Sequence, residues 1–198
     1  MPPKSIIYIL KLTLSDISPP IWRRVEVPAD ITLFRLAAVI VTAMGWSGGH
    51  LHQFRIGKKY YGIPHEDDLS ESEDEREIFL RDILEKQGIK KFIFEYDFGD
   101  GWEHVIEFEE TTERQKGIKY PRSTAGARCC PPEDCGGPPG YENFLEAIRD
   151  PEHSEHESMR QWIGGDFDPE AFDLEESADL ADDVKSIEEQ WEGSFIGD

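Results

Sequence analysis

The chain has 198 residues, 38% of them hydrophobic and five of them tryptophan, and a formal charge of −21 at pH 7. A chain of this size buries about 70% of the surface its unfolded form exposes, so it needs neither disulfide nor metal merely to fold, and its apolar and aromatic content excludes a disordered chain. No apolar run reaches the roughly 18 residues of a membrane-spanning helix, and the acidic excess opposes binding to phosphate backbones.

The charge is uneven. Residues 1–60 carry eight Lys/Arg against three Asp/Glu, whereas residues 150–198 carry two against 17. "WRR" at 22–24 and "GKK" at 57–59 are small basic clusters, so a nucleic-acid partner is not expected, and the acidic excess reads as solubility. The opening "MPPKSIIYILKLTLSD" lacks the long apolar stretch and cleavage site of a signal peptide. A cytoplasmic protein is expected, with its three cysteines reduced; an odd number cannot pair completely.

Taken in chain order, "IIYILKLTL" alternates and predicts a strand with Tyr8, Leu10, Leu12 and Leu14 on one face. "SPP" ends it. "IWRRVEV" alternates again, with Ile21, Arg23, Val25 and Val27 on one side and Trp22, Arg24 and Glu26 on the other. "PADITLFRLAAVIVTAMGW" predicts a helix with Thr32 as N-cap, an apolar stripe of Leu33, Leu36, Ala37, Ile40 and Met44, and Gly45 as a left-handed stop. "HLHQFRIGKKYYGI" predicts two short strands around Gly57. Residues 66–77 form an acidic, mobile loop. A short helix follows, with Ile78, Ile83 and Leu84 inward and Gly88 at its end. "KFIFEYDFGDGWEHVIEFEE" is a hairpin about a Gly/Asp turn. Residues 111–140 are irregular. Helices follow over 141–149, over 154–163 with Ser154 and Glu157 as a capping box, and over about 174–191 with a stripe of Leu180, Val184, Ile187 and Trp191. Strands first and helices later predict an α+β fold, one domain with a mainly antiparallel sheet, packed helices and a helical, acidic C-terminal part. Its core spans about 6–180 and the acidic tail about 174–198.

His50 and His52 stand two apart on a strand, about 6.6 Å along one face, and His104 sits between Trp102 and Ile106 on the inner face of the hairpin. Buried imidazoles need a hydrogen-bond partner or a metal. "RCCPPEDCGGPPGY" at 128–141 holds Cys129, Cys130 and Cys135 without a Cys-x-x-Cys pair, so it is not a zinc ribbon. Cys130 and Cys135 can join His50, His52 and His104 at a zinc ion; the plainer reading is a proline-stiffened loop with small apolar thiols. Asp97, Asp100 and Glu103 crowd the hairpin turn, where Asp and Gly serve the turn itself; the calcium-loop pattern is absent. "DFG" stands without the other kinase motifs.

Laid end to end, "YILKLTLSDISPPIWRRVEVPADITLFRLAAVI", "AMGWSGGHLHQFRI", "FEYDFGDGWEHVIEFE", "YPRSTAGARCCPPEDCGGPPGYENFLEAIRDPEHSEHE" and "WIGGDFDPEAFDLEE" resemble the plasmid pRiA4b ORF-3-like family over about residues 6–180. The resemblance implies a single α+β domain with no established activity. Some members carry the label transposon resolvase, but a resolvase needs a nucleophilic Ser or Tyr among arginines. No such cluster stands in this sequence. The family pattern has a cysteine after "YPR" where this chain has Ser123, which weakens a metal site relying on it.

Two functions from different classes follow. The favoured one is a non-catalytic binding module for an unidentified protein or small molecule, its groove lined by Trp22, Trp46, His50, His52, Asp97, Asp100, Trp102 and His104 and closed by the 128–140 loop. The alternative is a zinc-type hydrolytic enzyme with His50, His52, His104, Cys130 or Cys135 as ligands and Asp100 or Glu103 as base. Catalytic residues, substrate and oligomeric state are not assigned by the sequence.

Overall fold

The computed structural model describes residues 6–64 and 72–195. Eight strands form one sheet: β1 (Ile6–Leu14), β2 (Trp22–Pro28), β3 (His52–Ile56), β4 (Lys59–Gly62), β5 (Glu73–Asp74), β6 (Lys91–Tyr96), β7 (Trp102–Glu113) and β8 (Arg122–Ala127). Their order is β5-β4-β3-β6-β7-β1-β2-β8, and every neighbouring pair is antiparallel except β4 and β5. The five helices are α1 (Leu33–Met44), α2 (Gly137–Arg149), α3 (His156–Ile163), α4 (Leu174–Ser177) and α5 (Ala181–Phe195), with a π-helical turn at Asp82–Lys86. The expected mixed fold with one mainly antiparallel sheet is present.

Period-2 alternation decides the inner face. Tyr8, Leu10, Leu12 and Leu14 of β1 are buried, as are Val25 and Val27 of β2. On the outer face, cross-strand pairs of charge take over: Arg24 with Glu109, Arg55 with Glu103, Lys91 with Glu107. Such exposed pairs contribute little energy each, but they keep the outer face in water and fix the register by keeping the apolar set inward.

Helix α1 begins and ends as its sequence specifies. The Thr32 hydroxyl accepts from the Arg35 N–H at 3.3 Å, and Gly45 closes it at φ 87°. Ten of its twelve residues are buried, because the sheet covers one side and α5 the other. From α5, Val184, Ile187 and Trp191 join that core together with Leu180 just before it, which is the stripe the sequence predicts.

The remaining differences have local causes. The segment 111–140 is not all irregular: β7 runs to Glu113, β8 occupies Arg122–Ala127, and α2 starts at Gly137. The sequence "RSTAGA" has no strand periodicity; it pairs because β2 offers it an open edge. Proline fits the first turn of α2, where no N–H is needed. Ser154 and Glu157 form no capping box, since α3 starts at His156 with Glu155 as N-cap. The last predicted helix is two, divided at Ala178–Leu180, where the chain pairs with β8 through an Arg122–Asp179 bridge. Of the acidic loop, 66–71 lie outside the described residues, while Glu73–Asp74 make β5 and Glu75 is buried. His50 precedes β3 rather than belonging to it.

Candidate functional site

The predicted site residues divide among several places. Behind the loop at 128–140 lies an aromatic wedge. Trp46, just past the α1 cap, stacks on Tyr96 with ring centres 5.1 Å apart and planes at 15°, and touches Trp102 at 5.9 Å and His104 at 5.3 Å. Its indole N–H donates to the Pro131 carbonyl at 2.9 Å, tying the exit of α1 to the cysteine loop. Trp102 and His104 are inward residues of β7 and support Trp46 from behind. His104 is fully enclosed. Its Nδ1 lies 3.3 Å from the Phe94 carbonyl and its Nε2 has no partner. Burial pulls its pKa down to about 4, so the ring is neutral at pH 7. A carbonyl requires a donor, which places the proton on Nδ1 and leaves Nε2 a bare acceptor.

At the rim of this wedge the hairpin turn meets the loop. Asp97, at φ 57°, accepts from the Gly99 N–H through Oδ1, and Asp100 Oδ2 accepts from the Gly136 N–H at 3.0 Å. The His50 ring lies between Asp97 Oδ2 and Asp134 Oδ1, 3.4 Å from each. Among the described residues His50, Asp97 and Asp134 are the group able to offer three donor atoms, all within 4.8 Å of one another, to a cation. Two 3.4 Å contacts equally describe an imidazole held between carboxylates, so the cluster carries no metal on its own.

Elsewhere, His52 points toward α5. Its Nε2 is 2.8 Å from Glu75 Oε1 in a buried pair, and Trp191 lies over the ring at 4.4 Å. Trp22 is on the outer face of β2, under the Lys11 ammonium and Arg24 guanidinium. Glu103 is on the outer face, bound by Arg55. Thus His50, His52, His104, Cys130 and Cys135 do not gather as one zinc donor set: each imidazole has its own local partner, because alternation and the bend before β3 send them different ways. All three cysteines are free. Burial raises each thiol pKa, that of Cys135 to about 12, so the thiols are protonated rather than nucleophilic at pH 7.

One cavity brings part of this together. It measures about 400 Å³ and lies between the end of α1, the stretch Cys129–Glu133 and the chain at 163–177. Trp46, Ile163, Phe167 and Phe172 give it apolar walls, with Cys129 and Cys130 beside them. The loop is held by the Cys129 N–H donating to the Pro169 carbonyl at 3.0 Å and by Arg128 pairing with Glu170 at the same distance. Glu133, also on the wall, accepts from the Tyr96 hydroxyl at 2.8 Å and from the Ser47 N–H at 3.0 Å.

Arg23 lines the same cavity and is 4% exposed. Its Nε–H donates to the Ala43 carbonyl at 3.0 Å and its Nη1 to the carbonyls of Trp22 and Ala127 at 2.9 and 3.0 Å. Phe172 lies over the guanidinium at 4.5 Å. Burial lowers its pKa, yet an arginine stays cationic at any ordinary pH. Strand alternation puts Arg23 on the inward side of β2, but the sequence alone gives it no role. A cation at an inward position of an alternating strand was the available signal. Phe172, Phe167 and Glu75 carried no such signal, since only the fold brings them to their partners.

The kinship of the chain accords with this architecture. An uncharacterised protein, y4hQ of Sinorhizobium fredii (strain NBRC 101917 / NGR234), is 40% identical over 176 residues, covering 88% of this chain and 90% of that one. The crystal structure of MM3350, a protein of unknown function from Methanosarcina mazei Go1, superposes with a TM-score of 0.80 at 36% identity, covering 88% of this chain and 98% of that one. The model of one family matches residues 6–176. With all eight strands and helices α1 to α3 inside that span, the chain belongs to the plasmid pRiA4b ORF-3-like protein family.

Proposed function

We propose that this protein is a non-catalytic binding module whose ligand seat is the cavity beneath the cysteine loop. The observation that carries the reading is the 400 Å³ volume walled by Trp46, Ile163, Phe167 and Phe172, with one buried charged group, Arg23, among apolar neighbours. A few polar groups set in an apolar concavity of several hundred Å³ are the usual make-up of a small-ligand site. Of the groove residues read from sequence, Trp46 reaches the cavity; Trp102 and His104 brace it, and His50, Asp97 and Asp100 form the outer rim through the loop. The proline-stiffened, thiol-protonated loop acts as a wall rather than as a redox or metal centre. The reading takes residues 6–180 as one folding unit in a reducing cytoplasm, with α5 as a cover over α1.

A fragment panel screened by ligand-observed NMR against the full chain tests this. Aromatic fragments should bind and quench the fluorescence of Trp46. Ala171→Trp, which fills the cavity from its exposed edge, should abolish binding without lowering the melting temperature. Fragments that bind the filled variant as well as they bind the native chain would overturn the reading.

A further inference from the structure

The character of the ligand can be taken one step further, on the basis of that pocket. Arg23 is a buried cation without a carboxylate partner among the described residues, and its only hydrogen bonds there are to three backbone carbonyls. Those bonds use Nε and Nη1 and leave the Nη2 amino group without a protein acceptor. That amino group is not among the sealed, unsatisfied atoms of the interior, and the residue forms part of the cavity wall. A buried charge is costly unless paired and hydrogen-bonded. Phe172 covers one face of the guanidinium, which leaves its edge as the direction open to a ligand.

We propose that the cavity binds a small monocarboxylate with an apolar or aromatic body, its carboxylate received by the free amino group of Arg23. A single buried cation offsets one negative charge, whereas a doubly charged phosphate would leave one unpaired in apolar surroundings. The planar carboxylate suits guanidinium donors, and the aromatic walls suit the body. Two acidic residues share the cavity wall, Glu133 and Asp173. The carboxylate of Glu133 is taken by Tyr96 and Ser47, and that of Asp173 accepts from the Glu175 N–H at 2.8 Å. Two further carboxylates stand close by: Asp168, which acts on the Cys129 thiol, accepts from the Glu170 N–H at 2.9 Å, and Glu170 is paired with Arg128.

The probe is a matched pair, phenylacetate and phenylacetamide, titrated calorimetrically into the full-length protein. Phenylacetate should bind at least tenfold more tightly. Arg23→Gln should bring the two to equal affinity, and Ala171→Trp should remove both. Equal affinity of the two for the native protein would overturn the carboxylate assignment while leaving the pocket reading intact. Binding of neither at millimolar concentration would overturn both. If Arg23→Gln fails to fold, the comparison on the native chain still decides, with the filled variant locating the binding.

Discussion

At the scale of single residues, His104 shows what burial does to an ionisable group. It is fully enclosed by Phe94, Trp46 and Trp102, and its Nε2 has no partner. Its pKa in the folded chain is about 4, against 6.5 for the free side chain. The unfolded chain therefore binds the proton more readily between those values, so stability is full above pH 6.5 and falls as the pH drops toward 4. At about 1.36 kcal/mol per pKa unit the loss amounts to about 3 kcal/mol. His104→Phe should flatten this part of the stability–pH curve in urea titrations, leaving the slope owed to carboxylates. An unchanged curve would mean that His104 is protonated without cost. The Arg23 of β2 is the opposite case: it cannot give up its charge, so its environment must supply partners, and it does so with carbonyls.

At the scale of elements, the cysteine loop is fixed to the β6–β7 turn by a close backbone approach. A Cβ added at Gly137 would lie 2.2 Å from the Asp100 carbonyl oxygen, and the residue sits at φ 68°. Gly88 has nearly the same φ, 70°, and nothing within 4 Å. Comparing alanine at the two sites separates the backbone conformation from the docking. Gly88→Ala should cost about 1–2 kcal/mol from its left-handed conformation alone. Gly137→Ala should cost about 2 kcal/mol beyond that, as the loop is pushed off the turn. Urea midpoints measure both; equal costs would show that the loop yields freely. The same scale explains which elements the sequence discloses. β1, β2, α1 and the β6–β7 hairpin announce themselves, because burial of one face leaves a period in the residues themselves. β8 does not, because its residues are small or polar and its pairing is decided by the neighbouring edge and by the Ser123 N–H donating to the Ala178 carbonyl.

At the scale of the whole molecule, the charge of −21 sets a self-repulsion that the scattered surface ion pairs offset only in part. Screening should therefore help the folded state: the melting temperature should rise by several degrees between about 0.01 and 0.5 M sodium chloride, where the Debye length shrinks from about 30 Å to a few Å. Calorimetry on the full chain checks this, and a melting temperature that falls with salt would mean that attraction within ion pairs outweighs the net repulsion. No helix among the described residues is long and apolar enough to cross a membrane. The C-terminal segment has two tasks at this scale. Residues 166–179 border β8 and the cavity, and α5 seals α1, with Trp191 covering His52 and donating to the Gly48 carbonyl at 2.7 Å.

The sequence by itself determined the strands and helices whose faces are divided between core and water, the caps of α1, the hairpin turn and the family, because all of these rest on neighbours in the chain or on ordered motifs. The tertiary structure alone decided that His50, His52 and His104 take separate partners, that Trp46 meets Pro131, and that Arg23 faces a cavity walled in part by Phe172. Those contacts join residues from ten to well over a hundred positions apart. Local periodicity says which way a side chain points, but not what another part of the chain will bring to meet it.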